Sequence, residues 1–439
     1  MKILFAASEC MPFVKTGGLA DVVGTLPNVL ARSGEDVRVI LPKYSAIAQK
    51  YKDEMKDLLY FFVNLGWRRQ YCGIQTLERD GVTYYFVDNE YYFARGSIYG
   101  SGDEEGERFG YFCRAVLETL VHIGFQPDLI HCNDWQTGLI PALLKTHYRD
   151  NEFYKDIRTV YTIHNLRYQG IFPWMYIDDL LGIGPEHFNE DELEYYGCIS
   201  FMKGGIVFSD AVTTVSPTYA QEIQTPYYGE GLDGLLSARH YDMQGIVNGI
   251  DYEIYDPASD PKIFVNYDSS NFRKKKWENK VKLQEMLGLE VDKKKYMIGL
   301  VSRLTDQKGL DLINFVIDRI VDDYTQLVVI GTGEGRYEDM FRHYAWKYGD
   351  RISANICYND DLAHKLYAAA DAFLMPSAFE PCGLTQLISF RYGTVPIVRE
   401  TGGLKDTVEP YNEYEKTGTG FSFMNYNAHE MLATVRYAE

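Results

Sequence analysis

The chain has 439 residues, a length that predicts two or three domains at about 150 residues each. Hydrophobic residues make up 46% and charged residues 24%, so the composition is globular and excludes a disordered or collagen-like chain. The net charge of −18 disfavours nucleic acid and anionic membranes as main partners, because a field of that sign repels phosphate.

Seven cysteines are scattered along the chain, without a CxxC pair. This usage is typical of a reduced cytosolic protein and does not fit zinc-ligand spacing. The apolar run from Ile3 to Ala7 is closed by Glu9 and is too short for a signal peptide. No later segment approaches the roughly 18 apolar residues of a membrane span. The sequence therefore predicts a soluble, cytoplasmic protein.

Short β-branched runs alternate with helix-length amphipathic segments along most of the chain. This alternation predicts right-handed βαβ crossovers and doubly wound parallel sheets, an α/β fold. In the first half we predict strands at 2–7, 36–41, 84–87, 129–132, 159–163 and 211–215, and a helix at 19–33. In the second half we predict strands at 297–301, 326–330, 352–356, 372–375 and 395–398, and helices at 309–323, 337–348, 362–370 and 383–391.

These elements divide into two α/β domains, residues 1–247 and residues 266–439, joined by a polar, turn-rich hinge or linker at 248–265. Residues 427–439 begin like an amphipathic helix and stop without a Gly or Asn cap, so we expect a second domain truncated at its C-terminus. Ligands of such sheets bind beyond the C-terminal ends of the strands, and a cleft between two such domains is the expected site.

A paired-glycine loop, Lys15-Thr16-Gly17-Gly18, follows the first predicted strand and opens the first helix. Adjacent glycines let the backbone approach a ligand closely, and N–H groups at a helix start attract anions. Lys15 adds a mobile cation. From the spacing alone, an anion site and a plain helix-entry turn with a solvated lysine both remain open.

Arg303 and Lys308 follow a predicted strand of the second domain, where a parallel sheet presents its ligands. A guanidinium fork and an ammonium point charge suit a diphosphate without Mg²⁺, although two ordinary surface cations have the same spacing. The segment Thr401-Gly402-Gly403-Leu404 offers either backbone donors to phosphate or a plain strand-to-helix turn. The run at 331–335, GTGEG, is interpreted mainly as a tight strand-to-helix turn, with a nucleotide contact left open, because no acidic residue about 20 positions on stands at the end of the next strand.

Residues 380–384, Glu-Pro-Cys-Gly-Leu, lie between a predicted strand and a predicted helix. We expect the N–H groups of Gly383, Leu384 and Thr385 to face the site, whereas the helix dipole alone would favour a carboxylate at Glu380. Cys382 is misplaced for a nucleophile.

The motifs, in chain order, closely resemble those of bacterial glycogen synthases and plant starch synthases. They are MKILFAASECMPFVKTGGLADVVGTLP at the N-terminus, HCNDWQTGLIPALL from residue 131, YTIHNLRYQGIF from 161, FMKGGIVFSDAVTTVSPTYAQEI from 201, VNGID from 247, VSRLTDQKGLDL from 301, PSAFEPCGLTQL from 376 and RETGGLKDTV from 399. They cover essentially the whole chain in the family's order, so together they are highly specific.

This resemblance implies two Rossmann-like domains facing across a cleft, the GT-B arrangement, with the acceptor side in the first domain and the nucleotide sugar in the second. It implies transfer of glucose from ADP-glucose to the non-reducing end of an α-1,4-glucan, with retention of configuration and without metal or cofactor. The implied partners are ADP-glucose and the glucan, not nucleic acid or membrane. Oligomeric state is left open.

The resemblance also assigns roles to single residues. Lys15, Arg303 and Lys308 stabilise the leaving phosphate, His164 binds the glucose 6-hydroxyl, and Glu380 contacts the transferred glucose. The further substrate-binding residues implied are Gly17, Gly18, Asp21, Asp134, Asn165, Asn248, Tyr358, Cys382, Gly383, Leu384, Thr385, Thr401, Gly402, Gly403 and Leu404.

Some of these residues have plain structural alternatives. Asp21, Asp134 and Asn248 are equally suited to capping helices or forming turns. Tyr358 matches the aromatic residue that stacks on the nucleotide base, or it is an ordinary strand-end tyrosine. Ile388 stands where many GT-B enzymes have a second Glu, a departure that the glycogen synthase branch shares.

Two other functions remain open at this point. One is a transferase of the same fold with another acceptor, such as a sucrose synthase-like or trehalose-forming enzyme. The other is a non-catalytic glucan- or nucleotide-binding remnant, which the expected truncation favours. A phosphorylase is disfavoured, because no convincing match to that family's cofactor-binding lysine region is found.

Overall fold

The strand β1 (Lys2–Ala6) lies at the centre of a nine-stranded sheet, where it is apolar on both faces and pairs in parallel with a strand on each side. The computed structural model describes residues 1–439, which divide into two compact units. The first unit contains residues 1–215 and 220–246, and the second contains residues 216–219 and 247–439. No helix is both long and apolar enough to cross a membrane.

The other strands before residue 247 are β2 (Asp36–Pro42), β3 (Lys56–Leu65), β4 (Arg68–Arg79), β5 (Val82–Asp88), β6 (Leu129–Asn133), β7 (Arg158–Ile163), β8 (Ile171–Pro173), β9 (Glu194–Tyr195), β10 (Cys198–Ser200), β11 (Ala211–Thr214) and β12 (Met243–Gly245). The helices in this part are α1 (Gly18–Arg32), α2 (Gln49–Lys52), α3 (Glu90–Phe93), α4 (Glu104–His122), α5 (Leu139–Lys145), α6 (Tyr176–Asp179), α7 (Phe201–Phe208), α8 (Pro217–Glu222) and α9 (Asp233–Ala238). The sheet order is β12-β11-β7-β6-β1-β2-β5-β4-β3.

After residue 247 the strands are β13 (Tyr296–Val301), β14 (Thr325–Ile330), β15 (Ile352–Asn355), β16 (Ala372–Met375), β17 (Val395–Arg399) and β18 (Phe421–Phe423). The helices are α10 (Phe272–Leu287), α11 (Leu310–Ile320), α12 (Gly335–Lys347), α13 (Asp360–Ala369), α14 (Thr385–Arg391), α15 (Gly402–Thr407) and α16 (Ala428–Ala438). The order β15-β14-β13-β16-β17-β18 is parallel throughout.

Two doubly wound α/β sheets were predicted, and the structure confirms them. Two additions depart from the purely parallel expectation. The strands β3 and β4 form an antiparallel hairpin at one edge of the large sheet, and β8, β10 and β9 form a small antiparallel sheet. Residues 58–63 of β3 form an apolar run that we did not assign to a strand, and β8, β9 and β10 have only two or three residues each, too few for a periodic pattern.

The segment 248–265, expected as a hinge or linker, packs as part of the second unit. Tyr255 and Ile263 are buried in a core that includes residues of α10, β13 and α13. The carboxylate of Asp260 accepts hydrogen bonds from the Tyr392 hydroxyl at 2.6 Å and pairs with Nδ1 of His364 at 2.7 Å. These buried contacts fix the segment on α13 and on the residue after α14.

The motif loops share one position in the fold, beyond the C-terminal ends of parallel strands. The Lys15 loop lies between β1 and α1, while Asp134 and His164 follow β6 and β7. In the second unit, Lys308 follows β13 and Glu380 follows β16. Within each sheet, this is the edge at which α/β proteins bind ligands.

Candidate functional site

Asp134 organises the turn that follows β7 in the first unit. Its backbone has a positive φ of 56°, which is uncommon for a residue other than glycine. Its Oδ1 accepts the N–H groups of His164 at 2.7 Å and Asn165 at 3.3 Å. Burial raises the pKa of Asp134 to about 7, against the lowering effect of these two donors. The residue therefore acts as a turn-former that fixes the position of His164.

The protonation state of His164 follows from its neighbours. The amide nitrogen of Asn133 donates to the carbonyls of Ala6 and His131, both at 3.1 Å, so its Oδ1 is the acceptor for His164 Nε2 at 2.9 Å. Nε2 then carries the proton and Nδ1 keeps a lone pair. Burial lowers the pKa of His164 to about 3, so the ring is neutral at pH 7. A neutral imidazole with a lone pair at Nδ1 is suited to accept a hydrogen bond from a sugar hydroxyl.

Glu9 holds the Lys15 loop, a role that was not predicted from the sequence. Its buried carboxylate accepts the N–H of Thr16, the Thr16 hydroxyl at 2.6 Å, the N–H of Gly17 at 3.2 Å and the Tyr99 hydroxyl at 2.6 Å. The only signal in the sequence was an acidic residue closing an apolar strand. Glu9 therefore acts as the anchor of the glycine loop.

The Lys15 loop has the features expected of a ligand-facing turn. Nζ of Lys15 pairs with Oδ1 of Asp21 at 2.7 Å, and α1 begins at Gly18 without a side-chain cap. Gly17 has an extended φ of −150°, and no atom lies within 4 Å of the position a Cβ would take. Neither the backbone nor packing within the protein therefore requires glycine at position 17. This supports the hypothesis that glycine leaves room for a ligand.

In the second unit, an ion pair joins the loops after two neighbouring strands. Nζ of Lys308 lies 2.6 Å from Oε2 of Glu380, and the Ser377 hydroxyl donates to the same oxygen at 2.9 Å. Both charged side chains are largely buried. Arg399 holds the loop that follows β16, because its Nε donates to the Ser377 carbonyl at 2.8 Å. Ser377 and Arg399 were not found from the sequence.

The paired glycines 402 and 403 allow close packing inside the second unit. Gly402 has a φ of 45°, and a Cβ there would overlap the carbonyl of Glu380. The N–H of Gly403 donates to the Glu380 carbonyl and that of Leu404 to the Thr401 carbonyl, both at 3.1 Å. Two of the amides expected as phosphate donors thus already have partners inside the unit.

The start of α14 fits the hypothesis of an anion-facing turn more closely. Gly383 has a φ of 74°, and the helix begins at Thr385 with Leu384 as its N-cap and no side-chain cap.

Cys382 is buried, and burial raises the pKa of its thiol to about 12, even though Asn248 donates to it. The thiol is therefore protonated, and it is poorly suited to act as a nucleophile.

The two remaining residues predicted for the nucleotide lie on exposed loops. Arg303 follows β13, and Tyr358 follows β15 with 71% of its surface exposed. Both loops leave the same edge of the sheet, because β15, β14 and β13 are parallel neighbours. Glycines 331 and 333 pack so tightly on the residue 302–304 loop that a Cβ at either would overlap its backbone, as expected for a tight turn.

The structure contains no group of three or more His, Cys, Asp or Glu side chains that could hold a metal ion. At position 388, where other enzymes of the fold have a second Glu, the isoleucine is buried in the core beside α13. A carboxylate there would lose its hydration in a largely apolar core.

Two family models match this chain. One described as "Starch synthase catalytic domain" matches residues 2–238, and one described as "Glycosyl transferases group 1" matches residues 284–439. Glycogen synthase from Lachnospira eligens is 59% identical over 437 residues, covering 100% of this chain and 91% of the relative. Glycogen synthase from Geobacillus stearothermophilus is 56% identical over 438 residues, covering 100% of this chain and 90% of the relative.

The solved structures agree with these sequence matches. The catalytic domain of starch synthase IV from Arabidopsis thaliana, solved with ADP and acarbose, has a TM-score of 0.91 at 33% identity. The match covers 100% of this chain and 91% of that one. A sucrose-phosphate synthase from Thermosynechococcus elongatus has a TM-score of 0.62 at 17% identity, covers 99% of this chain and 89% of that one, and shows the fold alone.

Proposed function

The chain belongs to the glycogen and starch synthase family, and we propose that it is a retaining glucosyltransferase that moves glucose from ADP-glucose to the non-reducing end of an α-1,4-glucan. The reaction breaks the bond between glucose C1 and the diphosphate, and it forms a bond from C1 to the acceptor 4-hydroxyl. Negative charge develops on the departing phosphate, so cations and N–H donors placed there lower the barrier.

Lys308 and Arg303 are the proposed cations for the leaving phosphate, with the uncapped N–H groups at the start of α14 as further donors. Lys15, at the uncapped start of α1, is proposed to assist. A lysine that moves from Glu380 to the phosphate as charge develops would stabilise the transition state more than the bound substrate, which is the requirement for catalysis.

Glu380 and His164 are proposed to position the glucose. The carboxylate of Glu380 is held by Lys308 and Ser377 through Oε2, which leaves Oε1 to bind sugar hydroxyls and to support positive charge on C1. His164 is proposed to accept a hydrogen bond from the glucose 6-hydroxyl at its unprotonated Nδ1, because its Nε2 donates to Asn133.

Neither Cys382 nor Glu380 is suited to act as a covalent nucleophile. Cys382 is protonated, and Glu380 is held in an ion pair with Lys308. We therefore propose front-face attack, in which the acceptor hydroxyl approaches on the side from which ADP leaves and the phosphate takes its proton. This route retains the configuration at C1.

The observation that carries the proposal is the Lys308–Glu380 pair, which places a cation and a carboxylate together where the sheet presents its ligands. A same-fold transferase with another acceptor would share this pair, so the acceptor must be established separately. We also propose a cytoplasmic location, consistent with seven unpaired cysteines.

Product analysis tests this function. Incubation with ADP-glucose and either maltotriose, fructose 6-phosphate or glucose 6-phosphate should give a product from maltotriose only, extended by an α-linked glucose that NMR of the anomeric proton identifies. A sucrose- or trehalose-type product would reassign the acceptor, and a β-linked product would exclude retention.

A further inference from the structure

Arg399, the last residue of β17, lies at the ligand-binding edge of the second sheet, yet its guanidinium is turned to the backbone. Only 7% of the residue is exposed. Its Nε donates to the Ser377 carbonyl at 2.8 Å, its Nη2 to the Ala378 carbonyl, and its Nη1 to the Met424 carbonyl at 3.3 Å. Each guanidinium nitrogen therefore donates to a carbonyl, and the planar fork of the arginine joins two loops.

Ser377 connects Arg399 to the ion pair of Lys308 and Glu380. The Ser377 carbonyl accepts from Arg399, and the Ser377 hydroxyl donates to Oε2 of Glu380 at 2.9 Å. The same oxygen lies 2.6 Å from Nζ of Lys308. Ser377 and Glu380 belong to residues 376–380 after β16, here called the Glu380 loop, which has no regular secondary structure. Arg399 therefore restrains the ion pair through one intervening residue.

The position of Lys308 depends on the Glu380 loop as well. The carbonyl of Gln307, the residue before Lys308, accepts the N–H of Ala378 at 2.9 Å. The amide nitrogen of the same buried glutamine donates to the Phe379 carbonyl at 3.3 Å. Both members of the ion pair are thus placed by backbone that Arg399 holds.

The turn between β18 and α16 holds the guanidinium of Arg399 in its place. Besides the Met424 carbonyl, this turn supplies the ring of Tyr426, whose centroid lies 5.8 Å from Cζ of Arg399, within the range of a cation–π contact. The Tyr426 hydroxyl donates to Asp311 in the first turn of α11, the helix that begins two residues after Lys308. The guanidinium cannot turn towards a ligand without giving up these contacts.

We propose that Arg399 is a positioning residue for glucosyl transfer, which keeps Glu380 and Lys308 in place through the Glu380 loop. The proposal rests on the function proposed above. Groups that act in a transition state must be held within about 0.5 Å of their productive positions, and a misplacement of about 1 Å can lower the rate by about 100-fold. Arg399 supplies this restraint to a loop that has no hydrogen bonds of a helix or strand to fix it.

Two substitutions of Arg399 test the proposal. Arg399→Lys keeps the charge but presents its donors on a single nitrogen, and Arg399→Met removes every donor. Arg391→Lys is the matched control, because Arg391 also donates through Nε to a carbonyl, that of Tyr255 at 3.1 Å, and lies over a ring, that of Tyr252 at 4.8 Å. Arg391 is the last residue of α14, at the end away from the candidate site. Each variant is measured by kinetics of ADP release and by calorimetry with ADP, below its melting temperature.

We expect Arg399→Lys to lower kcat about tenfold and Arg399→Met about 100-fold, while Arg391→Lys matches the parent chain. The dissociation constant of ADP should change by less than about threefold in all variants, because Arg399 does not contact the nucleotide. A loss of ADP affinity as large as the loss of kcat would show that Arg399 binds the nucleotide directly, and it would overturn the proposal. A kcat of Arg399→Met close to that of the parent chain would do the same.

A double-mutant cycle distinguishes positioning from a general loss of structure. Once Lys308→Ala has broken the ion pair, adding Arg399→Met should lower kcat by only about tenfold or less, because residues that act as a unit are not additive. A further loss of the full 100-fold would mean that Arg399 affects turnover by another route, and it would contradict the role proposed here.

The outcome for Arg399 is separable from that for the proposed function. The kinetics use whichever acceptor product analysis identifies, so an acceptor other than a glucan would contradict the function and leave the losses predicted for Arg399 unchanged. A parent chain that extends the glucan, and whose Arg399→Met variant does so equally fast, would support the function and contradict the positioning role.

Discussion

At the residue scale, the ion pair of Lys308 and Glu380 is the contact on which the proposed chemistry depends most. The two side chains come from loops after neighbouring strands, and Ser377 holds the carboxylate in place. The sequence indicated both charged residues but gave no indication that they are paired. Their separation of 2.6 Å means that replacing either one also changes the state of the other.

Lys308→Ala should lower kcat by about 10²-fold or more, because the leaving phosphate loses a cation that acts in the transition state. The Michaelis constant for ADP-glucose should change by less than about threefold, since binding in the ground state has other contacts. Steady-state kinetics of ADP release give both constants. Lys347→Ala, which removes an exposed lysine paired with Asp318, is the matched control. Turnover within tenfold of the parent chain would exclude the role proposed for Lys308.

Glu9→Ala should lower kcat/KM for ADP-glucose by about 10- to 100-fold, because the Lys15 loop loses its anchor. It should also cost about 1–3 kcal/mol of folding stability, as buried donors are left unpaired. Glu9→Gln should keep most of the activity. The Gln amide oxygen can accept the N–H groups of Thr16 and Gly17, and the hydroxyls of Thr16 and Tyr99 can turn to accept from its nitrogen. Equal losses in both variants would mean that the charge of Glu9 matters, not its hydrogen bonds.

The low pKa of His164, about 3 in the folded state, makes stability depend on pH with a definite sign. The unfolded value is about 6.5, so the folded chain binds fewer protons and loses stability as the pH falls from about 6.5 towards 3. Asp134, whose folded pKa is raised, has the opposite dependence of stability on pH between about pH 4 and 7. The contribution of His164 is therefore isolated by comparing the parent chain with a variant that lacks His164. In urea unfolding at pH 7.5 and 4.5, His164→Gln should lose less stability on acidification than the parent chain. An equal loss would contradict a neutral imidazole in the folded chain.

At the scale of loops and elements, two glycines serve opposite purposes. Gly402, with a φ of 45°, packs against the backbone of Glu380, whereas Gly17 has an extended backbone and open space around it. Gly402→Ala should therefore lower the melting temperature, because the Glu380 loop must shift. Gly17→Ala should leave the melting temperature unchanged and weaken the use of ADP-glucose. Thermal unfolding and kinetics of the two variants test the contrast. A Gly17→Ala variant with full activity would show that no ligand approaches that position.

The parallel strands were predicted well because strands buried on both faces are continuous apolar runs. The prediction of a strand at 372–375 coincides with β16, and that of 297–301 lacks one residue of β13. The helix α10 was missed because its lysine-rich sequence resembles a solvated loop. Two of those lysines are in fact buried: Nζ of Lys276 donates to the Thr394 hydroxyl at 2.7 Å, and Lys280 pairs with Asp371. A lysine buried among acceptors has no signature in the sequence.

For the candidate site, the sequence predicted residues of the loops but not the residues that hold those loops in place. Lys308 was predicted from its position after a strand and His164 from the family resemblance, and both predictions depend on motifs that are local in the sequence. Glu9, Asn133 and Ser377 were missed because their roles depend on hydrogen bonds that form only in the folded structure, within one loop for Glu9 and Ser377 and between the ends of two strands for Asn133. Such hydrogen bonds follow from the folded structure, and no spacing of residues in the sequence predicts them.

At the scale of the whole molecule, the family match extends over both compact units. The first family model lies in the first unit and the second in the other, and relatives more than 50% identical cover all of this chain. Each unit presents its motif loops at the ligand-binding edge of its own sheet. We therefore conclude that this chain transfers glucose from ADP-glucose to a glucan.

Release of ADP from ADP-glucose, measured with and without maltooligosaccharide, tests that claim most directly. We predict release that depends on the acceptor and equals the number of glucose units added to it. Release at the same rate without acceptor, or no release from a chain that still binds ADP by calorimetry, would contradict the claim.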